Sequence, residues 1–272
     1  MIVLALVVLG LCLGSFVNAL VWRVQQQEKG QKAREYSLLH GHSMCPTCEH
    51  QLGVKDLVPV ISWLTLRGRC RYCKTPISWQ YPGVEILMAA VFGLSYVWWP
   101  VDLAHSGQWL LISAWLAASV GLLALLVYDF RWMLLPNRIL YPTLIVAATG
   151  RLGYVLFYAP DKVHEILMWA ISLGVASGFF AVIFYVSKGK WIGFGDVRLG
   201  LVTGSLLATP AKSLLMLFLA SVLGTLFILP AVATGKSKMT SRLAFGPFLI
   251  VSTAIVLLFG QSFIDWYQNH LL

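Results

Sequence analysis

Two aspartates carry the most suggestive chemistry in the chain. Asp196 closes the stretch Gly193-Phe194-Gly195-Asp196 between two apolar segments, and it is one of only 11 acidic residues among 272. Asp129 ends an earlier apolar run, Val120-Gly121-Leu122-Leu123-Ala124-Leu125-Leu126-Val127-Tyr128. A carboxylate at the edge of a bilayer is costly unless it is paired, hydrated or used. Two carboxylates that meet there can share one proton and activate water. The reaction this suits is peptide hydrolysis: the ionised member takes a proton from water while the protonated one polarises the scissile carbonyl. Such a pair titrates as a unit, so base and acid are not assigned individually. Gly193 and Gly195 permit positive φ and the close approach of another chain ahead of Asp196. Each aspartate also has a plain structural reading. Asp196 suits a helix N-cap, and Asp129 suits a helix end where it pairs with Arg131 at the surface. No His-Glu-x-x-His motif is present, and no Ser-His-Asp or Cys-His pattern competes convincingly.

Four cysteines form the second constellation. Cys45-Pro-Thr-Cys48 and Cys70-Arg-Tyr-Cys73 are separated by 21 residues. Two Cys-x-x-Cys knuckles at this distance are a strong zinc signal, because each pair supplies two thiolates to a tetrahedral ion. The competing reading is two redox or free-thiol pairs. His40, His42 and His50 lie nearby and could replace a thiolate, although four cysteines already suffice. A zinc-held domain whose fold depends on the metal is expected.

Composition fixes the setting of both groups. The chain is 58% hydrophobic and 11% charged, against about 25% charged in a soluble domain. It reads as an all-α polytopic membrane protein embedded in a lipid bilayer. The net charge of +9 marks basic cytoplasmic loops, not a nucleic-acid partner.

Apolar runs fall near residues 1–22, 83–99, 109–128, 137–158, 164–187, 197–209, 211–233 and 243–264. No Lys or Arg precedes the first, and Arg23 follows it, so an uncleaved span is expected where a signal peptide would need a basic start. The run 197–209 is short enough to suggest a re-entrant segment, but charge favours eight crossings. With eight, all of the 20 Lys and Arg residues except Arg151, Lys162 and Lys212 fall on the cytoplasmic side. That side then holds residues 23–82, 129–136, 188–196 and 234–242, with both termini outside. Tyr96, Trp98, Trp99 and Trp109 become an outer aromatic belt. The predicted organisation is a first transmembrane helix at 1–22, a cytoplasmic four-cysteine zinc domain at 23–82, and a seven-helix membrane domain at 83–272. In this topology Asp129 and Asp196 lie at the same cytoplasmic depth.

Smaller signals accompany these. Asn18 closes the first span in Gly14-Ser15-Phe16-Val17-Asn18 and can bond across helices. Glu85 in Tyr81-Pro82-Gly83-Val84-Glu85 suits a helix start or a functional acid. Phe245-Gly246-Pro247-Phe248 is most simply a kink.

Together these residues resemble the type IV prepilin peptidase family over nearly the whole chain. The resemblance rests on Gly14-Ser15-Phe16-x-Asn18 with Arg23, the cysteine knuckles, Tyr81-Pro82-x-x-Glu85, Asp129 with Pro136-Asn137, Gly193-x-Gly195-Asp196 and Phe245-Gly246-Pro247-Phe248. It implies a bacterial inner-membrane aspartic endopeptidase that cuts the short basic leader from prepilins or type II secretion pseudopilins. It identifies Asp129 and Asp196 as the catalytic pair. It also implies N-methylation of the new N-terminal residue with S-adenosyl-L-methionine, since the cysteine-bearing domain marks the bifunctional members. Arg198 departs from the lysine usual in the family. Two other classes compete: a proton-coupled transporter, which also uses membrane aspartates, and a non-catalytic scaffold of a secretion machine. The chain halves show no inverted repeat, and a zinc domain has no place in a carrier.

Overall fold

A computed structural model describes residues 1–30, 36–37, 41–233 and 244–271. His40 and the predicted cytoplasmic loop with Lys236, Lys238 and Arg242 lie outside the described residues. Among those described, the chain is all-helical, with ten α-helices and two isolated β-bridges in place of any strand. It divides into two units, Met1–Val97 and Trp98–Leu272.

The first unit pairs two long helices, α1 (Ile2–Glu28) and α3 (Gln80–Val97). Gly10 and Gly14 make this possible: a Cβ on either would lie within 2.7 Å of the Ala89 or Glu85 backbone. Small residues four apart let apolar helices touch along their backbones. Asn18 donates from Nδ2 to the Tyr81 carbonyl at 3.1 Å, the cross-helix bond its position suggested. Between the two helices, a short 3₁₀ turn (Val54–Asp56) and α2 (Ile61–Thr65) sit among the cysteine knuckles. Glu85 is buried on α3 and accepts the Val60 N–H at 2.7 Å. Val60 is held at φ 59°, an unusual conformation for a β-branched residue. Glu85 thus fastens the loop before α2 to the helix pair.

The second unit contains α4 (Gln108–Trp132), α5 (Asn137–Phe157), α6 (Lys162–Leu173), α7 (Phe179–Val186), α8 (Phe194–Leu207), α9 (Pro210–Ala233) and α10 (Gly246–Leu271). A π-helical turn, Gly174–Gly178, joins α6 to α7 without a break. Among the described residues, six stretches are long and apolar enough to cross a membrane: α1, α4, α5, the continuous Lys162–Val186, Pro210–Pro230 within α9 and Gly246–His270 within α10. The chain is a membrane protein. Helices also occupy the other two predicted spans, as α3 and the 14-residue α8.

α8 is short and carries three glycines, so it depends on its neighbours. A Cβ on Gly200 would meet the Ala176 carbonyl oxygen at 2.6 Å, and one on Gly204 the Ser172 oxygen at 3.1 Å. The π turn therefore lies directly against α8. Two buried hydroxyls fix the register: Ser177 donates to the Val197 carbonyl at 2.8 Å and Ser172 to the Gly204 carbonyl at 3.0 Å. Interhelical bonds of this kind contribute about 0.6 kcal/mol each. Their effect is to hold the helix that starts with Asp196 at one height.

Candidate active site and metal centre

Asp129 sits in the last turn of α4 and is buried. The helix stops there because Met133 takes the left-handed conformation, returning its N–H to the Asp129 carbonyl oxygen at 2.8 Å. The surface pairing with Arg131 is not formed, and the Arg131 guanidinium lies instead over the Trp132 ring, 5.5 Å from its centroid. The carboxylate of Asp129 accepts a hydrogen bond from the Gly246 N–H, the first residue of α10. Unpaired N–H groups at a helix start attract negative charge. Phe245-Gly246-Pro247-Phe248 is thus a helix start and not a kink. Pro247 belongs in a first turn, where its missing N–H costs nothing.

Asp196 occupies the third helical position of α8, not the N-cap, which is Gly193. Its carboxylate lies close enough to the Gly193 N–H to be favoured by it, at the position the acidic partner of a capping box takes. Neither glycine before it uses positive φ: Gly193 is extended at φ −80°, ψ 148° and Gly195 is helical. What Gly195 supplies is room, since a Cβ there would lie 3.0 Å from Leu135 Cδ1. Asp196 lies within electrostatic reach of Asp129. Two carboxylates on separate helices therefore lie within electrostatic reach of each other, each close to one backbone N–H.

Two further residues brace this arrangement. Arg198 donates from Nη1 to the Asn137 Oδ1, joining α8 to the start of α5, and stacks over the Phe194 ring 4.8 Å from its centroid. Pro136 precedes Asn137 as the N-cap of α5. Sequence reasoning missed Gly246 as a contact of Asp129. The available signal was a glycine directly before a proline, where a helix can begin against a close neighbour.

The cysteines of the first unit converge as their spacing predicted. The Sγ atoms of Cys45, Cys48, Cys70 and Cys73 lie within 4.8 Å of one another, and Cys45 and Cys73 are 3.8 Å apart. Tetrahedral zinc–thiolate bonds of about 2.3 Å place sulfurs about 3.8 Å apart. The four residues fit a metal ion, and all are free thiols. The two knuckles repeat one backbone design. Cys45 donates its N–H to His50 and Cys70 to Thr75, while Glu49 and Lys74, each just past a second cysteine, take positive φ. The Cys73 thiol donates to the Thr75 hydroxyl at 3.3 Å, and its contacts with the Thr75 side chain and N–H hold that thiol down to about 6, favouring the thiolate a metal needs. His50 instead stacks on Tyr72, with ring centroids 3.6 Å apart. Asp56 braces the second knuckle. Burial pushes its carboxyl up, but Arg71 at 2.6 Å, the Gly53 N–H and the Tyr72 hydroxyl together hold it below the usual range.

Residues 8–99 match the bacterial peptidase A24 N-terminal domain, and residues 116–229 match the type IV leader peptidase family. The chain is 30% identical to the prepilin leader peptidase/N-methyltransferase of Stutzerimonas stutzeri, over 96% of this chain and 91% of that protein. It is 31% identical to the enzyme of the same name from Bacillus subtilis (strain 168), over 96% of both. It is also 31% identical to the type 4 prepilin-like proteins leader peptide-processing enzyme of Escherichia coli O78:H11, over 68% of this chain and 74% of that one. No solved structure matches. With both family regions and near full-length relatives in agreement, the chain belongs to the type IV leader peptidase family and is a peptidase.

Proposed function

We propose that this peptidase is an aspartic endopeptidase that removes the short basic leader from type IV prepilins or type II secretion pseudopilins. The observation that carries the reading is the placing of Asp129 and Asp196 within electrostatic reach of each other, two carboxylates with no cationic partner among the described residues. A water between them loses a proton to one carboxylate as its oxygen attacks the scissile carbonyl. The other carboxyl donates a hydrogen bond to the developing oxyanion, and the proton then passes to the leaving amine. The N–H groups of Gly193 and Gly246 orient the two side chains throughout. Gly195 keeps the approach to Asp196 free of side-chain bulk. Arg198 and Asn137 hold the start of α8 against α5.

The chain is proposed to cross a bacterial inner membrane eight times, with both termini periplasmic and a cytoplasmic domain at 23–82. The pair then lies at the cytoplasmic face, where a precursor presents the junction between its leader and its apolar helix. Cys45, Cys48, Cys70 and Cys73 are proposed to hold one structural Zn2+. That ion staples a domain too small to fold securely alone. Relatives named N-methyltransferases support a second activity, transfer of a methyl group from S-adenosyl-L-methionine to the new N-terminal amine.

The test is incubation of the purified protein in detergent with a pilin-type precursor, followed by mass spectrometry of the products. The expected result is a leader-free chain, and with S-adenosyl-L-methionine present, a further gain of one methyl group. An intact precursor would leave the transporter or scaffold reading in its place.

A further inference from the structure

At the end of the second unit away from the aspartates lies a cluster that peptide hydrolysis does not use. Asn137 starts α5 beside Arg198, and Arg151 is 14 residues further along the same helix, a rise of about 21 Å. Arg151 is only 9% exposed. Its Nη2 donates to Glu165 on α6, and its guanidinium lies over the Tyr154 ring at 5.2 Å. Of its other donors, Nε is buried with no hydrogen-bond partner among the described residues.

Lys212 joins it from the first turn of α9. It lies within electrostatic reach of Arg151 and forms no ion pair with any described residue. Asp265 also acts on it, but Asp265 is exposed and already accepts from Gln261. Two more buried polar groups nearby lack partners. One is the indole Nε1 of Trp169, a turn after Glu165 on α6, and the other is the hydroxyl of Thr209, just before α9. α6 and α9 are joined here by the Ser172–Ser213 hydroxyl contact at 2.8 Å.

Of two neighbouring cations, only Arg151 thus has a directly bonded carboxylate, and beside them lie three unsatisfied polar groups, two of them N–H donors. An unpaired charge at a membrane surface is costly, and so is each buried donor left without an acceptor. One ligand chemistry answers both: an anion with several acceptor oxygens. Arg151 is six residues from the end of α5, and Lys212 is two residues into α9. The cluster therefore lies about one or two turns inside the helix ends, the depth of lipid headgroups. Exposed Phe157, Tyr158 and Trp109 flank that end, as aromatic residues do at a membrane interface.

We propose that Arg151, Lys212, Trp169 and Thr209 form a binding site for a phosphate group, carried by an anionic phospholipid or free in solution. Glu165 orients the guanidinium and leaves its Nε for the phosphate. The site sits on α5, α6 and α9, the helices that pack around α8. It is independent of the leader-peptidase mechanism, because binding is read without substrate.

The test uses full-length protein stripped of lipid in a neutral detergent, with thermal unfolding followed by tryptophan fluorescence. Phosphatidylglycerol, phosphatidylcholine and inorganic phosphate are added separately. An increase of at least about 3 °C with phosphatidylglycerol but not with phosphatidylcholine is expected. If inorganic phosphate gives the same increase, the site takes the free ion. If it gives none, the site takes the lipid. Lys212→Gln should lose at least half of the shift, and Arg151→Gln should lose it where that variant folds. Lys188→Gln, an exposed cation elsewhere, should keep all of it. Equal shifts with both lipids, no shift with any addition, or a full shift in Lys212→Gln would overturn the proposal.

Discussion

Gly246→Ala isolates the geometry of the aspartate pair without touching a charge. The added Cβ would lie 2.6 Å from Asp129 Oδ2 and 3.4 Å from its Cγ, with Leu199 Cδ2 3.6 Å away on another side. Ordinary contact begins near 3.4 Å, so the carboxylate oxygen must retreat by about 0.8 Å. The retreat also stretches the hydrogen bond that it accepts from the Gly246 N–H. A displacement near 1 Å in a reacting group costs about 10²-fold in rate, equivalent to about 2.7 kcal/mol in the barrier. The expected result is a kcat lowered by one to two orders of magnitude at saturating precursor, with KM changed little, as for an interaction used mainly in the transition state. Melting temperature and metal content should match the parent. Gly174→Ala, where a Cβ meets nothing within 4 Å, should cleave normally. A Gly246→Ala enzyme with a kcat within about twofold of the parent would refute the placement of Asp129 against α10.

Three other outcomes are expected. Asp129→Asn and Asp196→Asn should each abolish cleavage while leaving membrane insertion intact, and the double variant should be hardly worse, since groups acting as one unit are non-additive; turnover by either single variant contradicts the pair. Cys70→Ser should lose bound zinc by metal analysis and lose activity only through misfolding of its domain, and full occupancy contradicts a four-cysteine site. Asp56 is held below its ordinary range, so its support is complete above about pH 4 and disappears as pH falls through its lowered value. The stability difference between the parent and Asp56→Asn should therefore be present at pH 7 and vanish in stronger acid, and a pH-independent difference contradicts the role of Arg71 and Tyr72.

The cysteine site was legible because its spacing is local: each knuckle closes within six residues, and only the distance between knuckles had to be inferred. Asp129 and Asp196 were legible for a different reason. Membrane burial makes a carboxylate rare, so position alone marked them. What escaped is what arrives from far along the chain. Gly246 reaches Asp129 across more than a hundred residues, and no pattern near either predicts the contact. Gly193 and Gly195 suggested positive φ, because that is the usual need for glycine. Helix packing used Gly195 for its missing Cβ instead. The π turn was equally invisible, since Gly174-Val175-Ala176-Ser177-Gly178 reads as ordinary apolar helix. Glu85 was left between a helix-start role and an acid's role, and only the fold revealed Val60 as its partner.

That π turn has a consequence for register. A π turn is an α-helix carrying one residue in excess, and one residue is worth about 100° of rotation. Everything after Gly178 is therefore turned relative to the face that α6 began. The residues so aimed are Phe180, edge-on to Phe245 at 5.8 Å, and Phe184, against Phe194 at 5.2 Å. Phe245 directly precedes Gly246, and Phe194 precedes Gly195 and Asp196. The surplus residue works as a phase adjuster, bringing two aromatic wedges under the two helix starts that present the site. Deleting one residue from the turn would leave a smoother helix with its wedges pointing elsewhere, so that a gain in local regularity would come with the loss of the arrangement that places Asp129 and Asp196.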